Sequence, residues 1–99
     1  MAKREVEFHE EASREYEAAF KWYLERSEQA AARFASEINR AIDLIAKSPE
    51  RWPAGGHGTR RFLLERFPFL IIYRELPSVI QVLAVAHGRR RPGYWKERG

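Results

Sequence analysis

The chain has 99 residues, 44% of them hydrophobic, no cysteine and a formal net charge of +4. That length leaves room for one domain over residues 1–99, and the hydrophobic share excludes a polar disordered chain. The missing cysteines exclude thiol catalysis, thiolate metal sites and the disulfide-stapled design of small secreted domains.

The N-terminal Met1-Ala2-Lys3-Arg4-Glu5 has no signal-peptide character, and the longest apolar run is Phe69 to Tyr73. A membrane-spanning helix needs roughly 20 apolar residues, so the expected location is the cytoplasm, with no membrane contact. The basic surplus is one-sided. Residues 1–57 hold nine Lys/Arg against eleven Asp/Glu, and residues 58–99 hold nine against three. Such asymmetry suits an anionic partner, nucleic acid or acidic protein, although it also fits a merely solvated surface.

Val6-Glu7-Phe8 alternates and reads as a short first strand. From Glu10 the period lengthens: Ala12, Tyr16, Ala19 and Tyr23, with Phe20 alongside, form one helical stripe. Glu10, Glu11 and Glu15 fall in the early turns, where carboxylates suit the helix dipole. Ser27 offers the N-cap of a second helix with the stripe Ala31, Phe34, Ile38, Ala41, Ile42 and Ile45. Its polar face carries Arg33, Glu37, Arg40 and Asp43, and Pro49 ends it near Lys47.

A turn-rich connector runs from Ser48 to Gly58, after which the period becomes two. Strands are expected over Thr59–Leu64, Phe69–Arg74 and Val79–His87. The fold class is therefore α+β, with order β-α-α-β-β-β and an antiparallel sheet carrying the N-terminal helical hairpin on one face. The last two strands are apolar on both sides, so the second face also needs a cover, either the C-terminal Tyr94-Trp95 segment or a partner. In this reading the last strand turns Ile80, Val82, Ala84 and Ala86 one way and Val79, Leu83, Val85 and His87 the other.

Four segments carry a family resemblance. They are Ser48-Pro49-Glu50-Arg51-Trp52-Pro53, Gly58-Thr59-Arg60-Arg61, Phe67-Pro68-Phe69-Leu70-Ile71-Ile72-Tyr73-Arg74 and Val85-Ala86-His87-Gly88-Arg89-Arg90. In this order and spacing they resemble the RelE/ParE toxins of type II toxin–antitoxin systems, closer to ParE, across Val6 to Trp95. The chain departs from the pattern at Arg91, where an acid is frequent, and at Phe69, where Tyr is common. The resemblance implies a growth-inhibiting toxin of the kind linked to plasmid stabilisation, held by an acidic antitoxin. It leaves two targets open. ParE-like members are associated with contact inhibition of DNA gyrase, without catalysis. RelE-like members are ribosome-dependent endoribonucleases that cut mRNA. The assembly, a homodimer or a hetero-oligomer with the antitoxin, stays open too.

Ribonuclease chemistry would need an acid/base group and cations for the phosphorane. His87 is the candidate acid/base, with Arg74 and Arg61 as phosphate clamps, and strand alternation lets His87 and Arg74 share the face away from the helices. A contact toxin would instead rely on anchors: Arg89, Arg90, Trp95, Arg60 and Arg61 are the candidates. His9, His57 and His87 lack metal-ligand spacing, and Gly55-Gly56-His57-Gly58 lacks the Lys and Ser/Thr of a phosphate loop, so no metal and no cofactor are expected.

Overall fold

The computed structural model describes residues 3–99. The elements are β1 (Val6–Phe8), α1 (Glu10–Leu24), α2 (Glu28–Lys47), β2 (Arg60–Leu63), β3 (Phe69–Glu75) and β4 (Ile80–His87), with single 3-10 turns at Pro49–Arg51 and Gly56–Gly58. The order is the one expected, and strand ends differ by a residue at most from the sequence reading.

Each helix begins at a side-chain cap. Ser27 accepts from the Ala30 amide at 3.1 Å, satisfying a donor the first turn of α2 leaves free. His9 does the same for α1, its Nδ1 accepting from the Glu11 amide at 3.0 Å. Both helices pack on one sheet face through their stripes. Phe34, Ile38 and Ile45 are fully buried there, whereas Tyr16, expected in the same core, is half-buried beside Phe34.

The strand order is β1-β4-β3-β2. β2, β3 and β4 are antiparallel neighbours, but β1 pairs parallel with β4, so the sheet is mixed rather than wholly antiparallel. The helical hairpin carries the chain away after β1 and leaves β4 to return beside it. β1 reaches only Ile80–Val82, so the distal half of β4 has no strand on that side.

A register shift changes what β4 presents. Tyr73 pairs with Val82 but Ile72 with Ala84, so Leu83 is the extra residue of a β-bulge. Strict alternation breaks there. Ile80, Val82 and Val85 join the core under the helices, while Leu83, Ala84 and Ala86 pack with Ile72 and Trp95 on the far face. The expected partition of β4 is thus corrected beyond the bulge: Val85 and His87 turn toward the helices and Ala84 and Ala86 away, while Leu83 stays on the far face as expected. The C-terminal segment supplies the cover for the far face. Successive turns (Tyr94 to Arg91, Lys96 to Gly93, Arg98 to Trp95) coil it against the sheet with Trp95 buried. Among the described residues no helix is long and apolar enough to cross a membrane.

Candidate functional site

The sheet and its loops divide the candidate residues into three groups. Arg61 and Arg74 lie on the far face, Arg61 opposite Ile72 and Arg74 two positions along β3. Arg74 is committed there, its Nε donating to Gln81 Oε1 at 2.9 Å and a terminal nitrogen to the Gly99 carbonyl at 2.9 Å. His87 pairs with Phe69 and stands edge-on to its ring, 5.2 Å between centroids, on the helix face. His87 and Arg74 are therefore on opposite faces, because the bulge at Leu83 inverts the parity that would have aligned them. The sheet does not bring the candidate base and its candidate clamp together.

His87 has a local task. Its Nδ1 accepts from the Arg89 amide at 3.1 Å, and its carbonyl accepts from the Arg90 amide at 3.0 Å. Both bonds shape the turn out of β4. Arg89, Arg90 and Arg91 follow it, all exposed, with the Arg90 guanidinium 3.8 Å above the Tyr94 ring. Guanidinium–aromatic stacking holds Arg90 in place with its edge free for an acceptor. Trp95, grouped with these arginines in the sequence, points instead into the core of the far face.

The connector motifs also resolve into distinct tasks. Thr59 is buried and donates to the Gly56 carbonyl at 2.7 Å, closing the glycine turn. His57 carries φ 61° within that turn. Arg60 donates to the Trp52 carbonyl at 2.7 Å, tethering connector to sheet, while Arg61 beside it is exposed. Tyr73 is fully buried and donates to the Pro49 carbonyl at 2.5 Å. Burial drives its phenol well above the ordinary range, so it remains a donor.

One cluster escaped the sequence reading. Glu15, on α1, receives Arg98 on both oxygens at 2.9 Å, the Tyr94 hydroxyl at 2.6 Å and the Val85 amide at 3.0 Å. Arg98 also donates to the Leu83 carbonyl at 2.9 Å. Carboxylate and guanidinium thus satisfy backbone groups that β1 is too short to reach. Burial alone would raise the Glu15 pKa, but the bonds from Arg98, Tyr94 and Val85 together hold it below its ordinary value. Glu15 adjoins Tyr16 in the apolar stripe, and a carboxylate bordering a stripe was the available signal; nothing local marked Arg98.

Among the described residues no group of three or more His, Cys, Asp or Glu is placed to hold a metal. Exposed guanidiniums stand on β2 at Arg61 and in the turn after β4 at Arg89, Arg90 and Arg91, while His9 caps α1 and His57 and His87 sit in or at turns.

A two-layer α+β domain with a helical hairpin on a four-stranded sheet and a basic C-terminal strap is the class that this fold and surface define. The family described as "ParE toxin of type II toxin-antitoxin system, parDE" matches residues 6–92, and the chain belongs to that family. It is 30% identical over 79 residues to Toxin RelE1 of Caulobacter vibrioides, covering 78% of this chain and 85% of that one. Its fold superposes on a structure of the chromosomal ParDE toxin–antitoxin system from P. aeruginosa with a TM-score of 0.74, at 19% identity, covering 86% of this chain and 96% of the other.

Proposed function

We propose that the chain is a cytoplasmic toxin that inhibits DNA gyrase by protein–protein contact and is neutralised by an acidic cognate antitoxin. The observation that carries this reading is the ParE family match over residues 6–92. The separation of His87 from Arg74 across the sheet supports it, since a nucleolytic site needs its base and phosphate clamp on one side. The contact residues in this reading are the exposed Arg89 and Arg90, after β4, and Arg61, apart from them on β2; Trp95 and Arg60 serve indirectly, by seating the strap and the connector.

A ribosome-dependent mRNA endoribonuclease is the second reading, favoured by the likeness to a protein named Toxin RelE1. Two assays on the purified chain separate them: supercoiling by gyrase, and translation with primer-extension mapping of the mRNA. Inhibited supercoiling with intact mRNA is expected. Cleaved mRNA with normal supercoiling would replace the first reading with the second.

A further inference from the structure

Beyond Val82 the outer edge of β4 has no neighbouring strand, because β1 pairs only with Ile80, Gln81 and Val82. The Gly88 amide donates to the Pro68 carbonyl, so alternation turns the main-chain groups of Ala86 toward β3 and those of Val85 and His87 outward. Both ends of this outward row are taken. The Val85 amide donates to Glu15 at 3.0 Å, and the His87 carbonyl accepts from the Arg90 amide at 3.0 Å. Between them, the Val85 carbonyl and the His87 amide have no partner among the described residues. One acceptor and one donor thus stand side by side on the strand edge, although buried main-chain groups are nearly always paired.

These groups border a cavity of about 470 Å³ between the end of β4, α1 and the strap, within the size range of small-molecule sites, about 300–1,000 Å³. Trp22, Tyr23, Phe69 and Tyr94 give it aromatic walls, and Ala18 and Ala19 keep the facing side of α1 shallow. Trp22 stays 51% exposed at its rim. Among the described residues that line it, Glu15 is the one carboxylate and is paired with Arg98. Arg90 is the one arginine and makes no ion pair.

We propose that this cavity binds a purine nucleoside monophosphate. One edge of a purine presents a donor beside an acceptor, which complements the Val85 carbonyl and the His87 amide, while the ring faces suit aromatic walls. The phosphate would meet Arg90, whose stacking on Tyr94 leaves the guanidinium edge free, and the His87 Nε2–H, since Nδ1 already serves as an acceptor. One unpaired guanidinium suits one phosphate rather than a polyphosphate. A peptide strand fits worse, because strand addition needs a row of free groups, and here Glu15, Arg98 and the Arg90 amide have taken those on either side. A pyrimidine offers a similar edge with less ring to stack. The site goes beyond the toxin reading and does not depend on it.

The test titrates the whole chain, isotopically labelled, with AMP and with GMP, followed by NMR. At least one of them is expected to give saturable shifts at the His87 amide and the Trp22 indole N–H. CMP, inorganic phosphate and the 1-methyl form of the same nucleotide, which blocks the purine edge, should bind far more weakly. Arg90→Ala should weaken the nucleotide about tenfold or more and the nucleoside little, because only the nucleotide loses a charged bond. Ala18→Leu fills the cavity from an exposed helix position and should abolish binding, with a thermal melt close to that of the wild type showing the fold intact. The wild-type titration stands independently of either variant. No saturable shift at millimolar AMP or GMP overturns the proposal. So does equally tight binding of inorganic phosphate or CMP, or a shift pattern confined to Arg60, Arg61 and Arg89. Tight binding of an oligonucleotide without the mononucleotide overturns it too, and would make the surface one for nucleic acid. None of these outcomes alters the result of the gyrase and translation assays, so the two readings fail separately.

Discussion

Arg98 grips Glu15 through both carboxylate oxygens at 2.9 Å, joining the second-to-last residue of the chain to the middle of α1. The pair lies where β1 stops short, and it converts the C-terminal segment from a tail into a strap over the sheet. Both side chains are largely shielded, at 15% and 17% exposure, so removing one strands the other away from water. Arg98→Ala should therefore cost about 1.5–3 kcal/mol, the range for a bond to a charged group, and lower the melting temperature by about 4–8 °C per kcal/mol. Glu15→Ala should cost at least as much, since the Val85 amide also loses its acceptor. The double variant should cost clearly less than the two losses added together, and a denaturation cycle on the four proteins checks it.

The same pair sets a pH dependence. The Glu15 pKa is lowered on folding, against burial and by the bonds from Arg98, Tyr94 and Val85. The folded chain thus holds the Glu15 proton less readily than the unfolded chain. This contribution to stability is complete above the ordinary value of 4.5 and is lost as pH falls below it, through the depressed folded value. Urea midpoints measured from pH 7 downward should fall through this acid window in the wild type. They should fall less in Glu15→Gln, which starts from lower stability.

Under the helices, Ile38 is 2% exposed and belongs to the core formed with Phe34 and Ile45. Ile38→Ala should cost about 2–5 kcal/mol, from lost burial and the cavity left behind. Trp95→Ala on the other face should cost about 3–5 kcal/mol by the same reasoning. Either loss is a large fraction of the stability usual for a domain of this size, so both are best measured by denaturant unfolding at low temperature.

Much of the architecture is legible in the residues. The stripe Ala31, Phe34, Ile38, Ala41 and Ile45 and the cap Ser27 locate α2, and period two locates β2, β3 and β4, because local packing periods follow directly from side-chain geometry. Three features were not legible. The parallel pairing of β1 with β4 depends on where the chain returns in space. The bulge at Leu83 inserts one residue into an otherwise regular apolar run, and nothing in Val82-Leu83-Ala84-Val85 distinguishes the extra residue. That one insertion changed the face assigned to His87. Arg98 was invisible for another reason: its partner lies 83 positions away.

The strap also changes what truncation can teach. As a mobile tail, Arg89–Gly99 could be removed without harm to the fold, and lost toxicity would then report lost target contacts. With Trp95 buried against Ile72, Leu83, Ala84 and Ala86, removal uncovers an apolar sheet face and strips Glu15 of two donors. The truncated chain should melt far below the intact one and bind an apolar dye such as ANS. Point changes at exposed Arg89 and Arg90 avoid this, and surface substitutions of that kind usually shift stability by no more than about 0.5 kcal/mol.

Those point changes give the sharpest separation of contact inhibition from mRNA cleavage. If the chain acts by contact, Arg89→Ala with Arg90→Ala should leave the melting curve nearly unchanged and weaken gyrase inhibition about tenfold or more, because arginines at interfaces carry a disproportionate share of binding energy. His87→Gln should be milder: its ring Nδ1 serves the Arg89 amide, and the glutamine amide oxygen can accept the same bond. Arg74→Ala should disturb the Gln81 and Gly99 contacts on the far face without joining its effect to that of His87. In a ribonuclease the pattern inverts. One general acid/base group contributes about 10²–10⁴-fold, so His87→Gln would nearly abolish cleavage while the fold survived, and Arg74→Ala would be comparably severe. An mRNA fragment made by the wild type and missing with His87→Gln would establish catalysis and displace gyrase contact as the function. Because His87 and Arg74 sit on opposite faces of one sheet, we expect their effects to stay independent in the double variant.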